Sequence, residues 1–92
     1  MDVDVVNNLA KQRFEADVDG FVALVEYKLH DRILTLVHTE VPPELGGRGL
    51  GGTIVKAALE YAKSQGYKVV PQCPFARKFV ERHEEYAEIV FP

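Results

Sequence analysis

The chain has 92 residues, of which 47% are apolar and 27% charged, with a formal net charge of −3. That composition fits one folded domain with a single modest core, not a disordered chain. The acidic balance and the absence of any Lys/Arg cluster argue against a nucleic-acid partner.

No apolar run approaches the roughly 18 residues of a membrane span, and no basic and apolar leader opens the chain, so no membrane partner is expected. The single cysteine excludes an internal disulfide, and the three histidines share no zinc-ligand spacing, so no metal is expected. The expectation is a cytosolic protein, or one of another reducing compartment, as a monomer or weak homodimer.

Residues 1 to 10 predict no firm element, although Val5, Val6 and Leu9 offer light anchorage. Residues 13–16 alternate and predict a short strand, followed by a turn at Asp17-Val18-Asp19-Gly20. Residues 21–29 predict a strong strand with Phe21, Ala23, Val25, Tyr27 and Leu29 on one face. After a tight connection at His30-Asp31-Arg32, residues 33–41 predict a third strand. Strict alternation puts Leu34, Leu36, His38 and Glu40 on one face and Ile33, Thr35, Val37 and Thr39 on the other. Short connections make the three strands an antiparallel meander.

Pro42 and Pro43 end the third strand, because proline donates nothing to a ladder. Residues 51–65 predict a helix with Ile54, Val55, Ala58, Leu59 and Ala62 as its apolar stripe and Gly66 as its terminator. Residues 67–70 predict a β-branched strand stopped by Pro71. Residues 74–84 predict a second helix opened by Pro74, and residues 87–91 a last short strand. The fold class is therefore α/β, of α+β character, in the order βββ-α-β-α-(β). Its sheet is mixed but mostly antiparallel. A crossover helix between strands 33–41 and 67–70 makes that pair parallel. Proline at both strand ends predicts that the pair splays apart there.

Five of the seven glycines fall at positions 46, 47, 49, 51 and 52, between a strand and a helix. Glycine is costly to order, so this density points to close backbone approach by a ligand, with a surface turn capping the helix as the alternative. A helix N-terminus preceded by such a loop directs several N–H groups at one spot, which suits a phosphate. Arg48 can add a charge-assisted contact. The loop lacks GxxxxGK[ST], and the meander before it excludes a dinucleotide fingerprint.

Arg48-Gly49-Leu50-Gly51, after a strand and before a long helix, resembles the coenzyme A pyrophosphate loop of the GCN5-related N-acetyltransferases. Gly49 and Gly51 match the two glycines of that pattern, while Gly46 stands where the family usually has a glutamine or arginine. His38-Thr39-Glu40-Val41-Pro42, Ala57-Ala58-Leu59, Val70-Pro71-Gln72-Cys73-Pro74-Phe75, Phe79 and His83-Glu84-Glu85-Tyr86 are similar to the minimal members of about a hundred residues. The resemblance spans residues 10 to 90. It implies a truncated acyl-CoA N-acyltransferase fold and acetyl-CoA as cosubstrate. The implied cofactor-binding residues are Val41, Gly46, Gly47, Arg48, Gly49, Leu50, Gly51 and Gly52, with Phe75 and Lys78 toward the adenine or 3′-phosphate end.

Cys73 lies between a strand end and a helix start, where the dipole favours a thiolate. A thiolate can take an acetyl group from a thioester and pass it on. A buried, inert thiol is the alternative. The minimal branch is thought to use this cysteine. His38 and Glu40, on the strand leading into the loop, are the candidate bases, with imidazole titrating nearer neutrality than a carboxylate. His83 ranks below His38, and Tyr27, Tyr61 and Tyr86 read as packing residues.

The functional expectation is an acetyl-CoA-dependent N-acetyltransferase acting on a primary amine of a small molecule or a protein. The alternative is a non-catalytic coenzyme A-binding or regulatory module. Larger relatives in the resembled family shape an acceptor pocket with extra N-terminal helices, whereas this meander starts by about residue 12, so the acceptor site is expected to be shallow or to be completed by a bound protein or a second subunit.

Overall fold

The structure, a computed structural model, describes residues 3–91. Five strands form one sheet in sequential order: β1 (Val6–Asn8), β2 (Arg13–Val18), β3 (Phe21–His30), β4 (Ile33–Glu40) and β5 (Lys68–Pro71). Helix α1 (Leu50–Gln65) connects β4 to β5, and α2 (Pro74–Arg82) follows β5. The first four strands pair antiparallel and β4 pairs parallel with β5, giving the mixed sheet expected.

Two two-residue turns hold the meander. Asp19 and Gly20 both have positive φ (54° and 84°), as a type I′ hairpin requires, and Asp17 Oδ1 accepts from the Gly20 N–H at 3.1 Å. Asp31 and Arg32 do the same without glycine, at φ 49° and 63°. The Arg32 side chain offsets that strain. Its Nη2 donates to the carbonyls of Gln65 (3.0 Å) and Gly66 (3.3 Å), capping the C-terminus of α1, and its guanidinium lies over the Tyr67 ring.

β1 is an element the hydrophobic pattern does not predict. Side-chain hydrogen bonds hold it in place. Asn7 Oδ1 accepts from the Tyr27 hydroxyl at 2.7 Å, and Asn8 Nδ2 donates to Glu15 at 3.1 Å. The expected strand over 87–91 is replaced by a 3-10 segment, Glu84–Ile89, and a single parallel bridge between Val69 and Val90. The helix ends early because His83 leaves helical geometry (φ −128°, ψ 83°) and Tyr86 turns fully into the core.

The α1 stripe Ile54, Val55, Ala58, Leu59 and Ala62 shares one core with Phe14, Ala16, Ala23, Val25, Leu34 and Leu36. Cross-strand pairing keeps partners on one face, and Phe14 opposes Val25, Ala16 opposes Ala23, and Tyr27 opposes Leu36. The register then slips: Tyr27 opposes Leu36 while Glu26 opposes His38, so Val37 has no partner and forms a β-bulge. Beyond it Val25 opposes Thr39, and Leu24 opposes Glu40. The bulge therefore brings Thr39 to the core face and turns His38 and Glu40 to the opposite one. This corrects the strict alternation expected for β4.

Candidate active site

The parallel ladder joins only Ile33–Leu36 to Lys68–Pro71. β4 runs on to Glu40, whereas the chain after β5 turns into α2, with the Cys73 N–H donating to the Leu36 carbonyl at 3.0 Å. The two strands thus part beyond Leu36 and Pro71, at the bulge. One edge of β4 past this point lacks a strand neighbour, and amide groups there are available to an extended, amide-containing ligand.

At the end of β4, Pro42 opens a short 3-10 turn, Pro43–Leu45, and the glycine loop follows. Gly47 (φ 79°) and Gly49 (φ 70°) take left-handed conformations, and Gly49 is the N-cap of α1. Only residues without a Cβ adopt this path cheaply. The first α1 hydrogen bond to Gly49 comes from the Thr53 N–H, at 3.1 Å. The N–H groups of Leu50, Gly51 and Gly52 precede it and have no helical acceptor. Gly46 differs: its N–H already donates to the Pro43 carbonyl at 3.0 Å. The free donor set therefore begins at Gly47, not at Gly46.

These groups surround a cavity of about 280 Å³ lined by Val41, Pro42, Pro43, Leu45, Gly46, Gly47, Gly49, Leu50, Gly51, Gly52 and Phe75. Eight of the ten residues expected at a coenzyme A site line it. The structure places the other two elsewhere. Arg48 Nη1 reaches Asp19 Oδ2, at 3.3 Å, in the β2–β3 turn. Lys78 lines an adjoining groove with Phe75, Phe79, Arg82 and His83. The Phe75 ring rests directly on Gly51: a Cβ there would come within 2.7 Å of Phe75 Cζ. Donors at a helix N-terminus, in a cavity walled by glycine, fit a pyrophosphate.

Cys73 is the N-cap of α2 and only 5% exposed. Its Sγ accepts from the Ala76 N–H at 3.3 Å and lies 3.1 Å from Thr39 Oγ1. The basic neighbour expected in His38 is not there. His38 and Glu40 are 56% and 64% exposed on the other face, 3.8 Å apart, beside the Glu26 and Leu24 positions. The structure therefore separates the candidate nucleophile from both candidate bases. Thr39, its actual neighbour, was hidden from sequence reading by the bulge. His83 caps the C-terminus of α2, its Nδ1 2.7 Å from the Phe79 carbonyl, which makes that nitrogen the protonated one. Among the described residues no cluster of His, Cys, Asp and Glu has the geometry of a metal site.

Comparison with known proteins points the same way. A family model described as GCN5-related N-acetyl-transferase matches residues 13–89. Protein NATD1 of Homo sapiens is 36% identical over 76 residues, covering 80% of this chain and 66% of that protein. Protein NATD1 of Gallus gallus is 30% identical over 96 residues, covering 98% of this chain and 86% of the other. A GCN5-like protein of Staphylococcus aureus, solved by NMR, superposes with a TM-score of 0.75 at 26% identity, covering 96% of this chain and 87% of that one. The chain spans about two thirds of the human relative and more of the avian one. The parting strand pair, the glycine loop and the start of α1 all fall within the matched residues 13–89, and this chain belongs to the GCN5-related N-acetyltransferase family.

Proposed function

We propose that this protein is an acetyl-CoA-dependent N-acetyltransferase that acetylates a primary amine. The observation that carries the reading is the cavity at the start of α1, lined by Gly47, Gly49, Leu50, Gly51 and Gly52, whose N–H groups have no acceptor in the backbone ladder. Acetyl-CoA would supply an activated thioester there. Its pyrophosphate would lie against the α1 N-terminus, and its pantetheine arm along the part of β4 that β5 leaves unpaired. The reducing compartment that suits a lone free thiol is the cytosol.

Within this reading Cys73 is the residue able to carry the acetyl group. Its sulfur attacks the thioester carbonyl, the bond to the coenzyme A sulfur breaks, and coenzyme A leaves as a thiolate. An amine then attacks the Cys73 thioester, the carbon–sulfur bond breaks to free the Cys73 thiolate, and the proton lost by the nitrogen passes to solvent. The Ala76 N–H and Thr39 hydroxyl are placed to stabilise that thiolate. The near-complete burial of Cys73, and its separation from His38 and Glu40, favours a second route in which the amine attacks the cofactor directly.

Intact-protein mass spectrometry after mixing with acetyl-CoA, with no amine present, decides between them. A gain of one acetyl group on the parent, absent in Cys73→Ser, and its discharge by added amine support the covalent route. Undiminished transfer by Cys73→Ser sinks it. Coenzyme A binding without turnover of any amine would make the protein a binding module.

A further inference from the structure

We infer that the acceptor amine carries a negative charge at its far end, and that the cavity beside the Val37 bulge holds that end. The inference rests on the reading of the parted strands as the acetyl-CoA site, and it names the acceptor class for that site. The cavity, of about 180 Å³, has Lys11, Gln12, Glu26, Lys28 and Val37 among its walls. Glu26 and Lys28 alternate with Val25 and Tyr27 of the core, so the cavity opens on the sheet face turned away from α1. Neither lysine joins an ion pair among the described residues, although Glu26 shares the cavity with them.

Access decides the side from which the amine arrives. An acetyl group beside the bare edge of β4 has a sheet face on either side of it. The core face is closed, because Cys73 and Ala76 pack there with the α1 stripe. The other face is open. His38 and Glu40 stand exposed on it, past the point where β5 has left β4. An amine crossing this face bonds the acetyl carbonyl carbon as the bond from that carbon to sulfur breaks. The sulfur leaves as a thiolate, and the proton lost by the nitrogen passes to solvent.

Charge is ordered along this face. Glu26 opposes His38 across β3 and β4, and Leu24 opposes Glu40 on one side and Glu15 on the other. Lys28 follows Glu26 by two residues and lies one row further from the bare edge, where Lys11 joins it at the cavity. An ammonium group therefore meets carboxylates beside the acetyl group, and an anion meets two lysines beyond them. Two residues of strand advance about 7 Å, which a chain of about five methylene groups between nitrogen and carboxylate spans. A polyamine would bring a second cation to the lysines, and an α-amino acid is too short to reach from one group to the other. The acceptor class that fits is an ω-amino acid or the side-chain amine of a lysine bearing a free carboxylate.

Steady-state acetyl transfer to ε-aminocaproate, hexylamine and hexanediamine tests the inference. The three offer the same primary amine and differ in the far end, which is negative, neutral or positive. The parent should use ε-aminocaproate with a kcat/KM about tenfold above that of hexylamine, mostly through KM, and hexanediamine least well. Lys11→Ala/Lys28→Ala should lose that preference through a raised KM for ε-aminocaproate, and Lys11→Arg/Lys28→Arg should keep it. Equal use of the three amines by the parent overturns the inference and leaves the acetyltransferase reading intact. A preference that survives in the alanine variant overturns it too. If that variant does not fold, the parent's own ranking decides. Transfer to none of the three overturns the inference, and calorimetry with acetyl-CoA then shows whether the cofactor reading falls with it.

Discussion

Thr39 Oγ1 lies 3.1 Å from Cys73 Sγ, joining the end of β4 to the N-cap of α2 across the point where β4 and β5 part. The contact exists because Val37 is bulged out of the β3–β4 ladder; without the extra residue, strict alternation from Leu36 would turn position 39 away. Thr39→Val keeps the shape and removes the hydroxyl. It should leave stability within about 1.5 kcal/mol of the parent, the ordinary range for one hydrogen bond. It should also slow formation of the acetyl adduct on Cys73 without weakening coenzyme A binding. An adduct rate unchanged in quenched-flow mass spectrometry would reduce Thr39 to a packing residue.

Loop geometry predicts opposite failures for two neighbouring glycines. Gly49 has open space around a would-be Cβ but a φ of 70°, so Gly49→Ala pays backbone strain of about 1–2 kcal/mol without a clash. Gly51 has ordinary φ but no room, so Gly51→Ala displaces the Phe75 ring. Both should weaken coenzyme A binding. Only Gly49→Ala should lower the thermal midpoint by more than the ring shift explains. Calorimetry paired with thermal melts separates the two effects, and parental affinity in both variants would mean that the loop does not meet the ligand.

Arg48 and Asp19 form an exposed pair at 3.3 Å, with side chains 37% and 73% exposed. Such a pair is worth at most about 1 kcal/mol, so its loss should barely move stability. Its effect on binding should be larger. Asp19→Asn releases Arg48 toward the loop cavity and should tighten coenzyme A binding severalfold, while Arg48→Ala should weaken it by about 1–3 kcal/mol. Identical affinities in parent and both variants would confine Arg48 to its contact with the turn.

Periodicity carried the meander, both helices and the parallel crossover because each depends on burial of a repeating face. Ile54 to Ala62 could only be a helix stripe, and Asp19-Gly20 could only be a turn. The density of five glycines in seven residues was visible at once, and the structure gives several of them a local cause: Gly47 and Gly49 are left-handed, and Gly51 lies under the Phe75 ring. What escaped depends on single residues acting at a distance. β1 is held by Asn7 and Asn8 through partners far along the chain, and no apolar pattern records that. The faces of His38 and Thr39 were exchanged by one bulged valine, which looks like any other strand residue. The last strand was lost because Tyr86 drops into the core and bonds Glu60 at 2.6 Å, winding residues 84–89 instead of extending them.

His38 and Glu40 lie on the sheet face away from Cys73, so the two halves of the reaction should respond to them differently. His38→Ala and Glu40→Gln are surface changes expected to alter stability by no more than about 0.5 kcal/mol. Neither should affect acetylation of Cys73. Slower transfer to an amine in either variant, with unchanged adduct formation, would assign that face to the acceptor. A slower first step would instead place the residue within reach of the thioester.

Tyr86 gives a pH signature of the packed C-terminus. Burial first, and then the hydrogen bond to Glu60, holds its phenol above the ordinary range. In the unfolded chain it ionises near pH 10. Because the folded value is the higher one, its contribution is fully present below about pH 10 and is lost as pH rises toward the folded value. Tyr86→Phe removes both the hydrogen bond and this linkage. At pH 8 it should be less stable than the parent by about 0.5–1.5 kcal/mol, the net worth of one such bond. Above pH 10 the parent should lose stability faster, and the two urea midpoints should converge. Tyr27, whose phenol is also raised by burial, is common to both proteins and cancels from the difference. A gap between the midpoints that stays constant from pH 8 to pH 11 would show that Tyr86 does not keep its proton in the folded state.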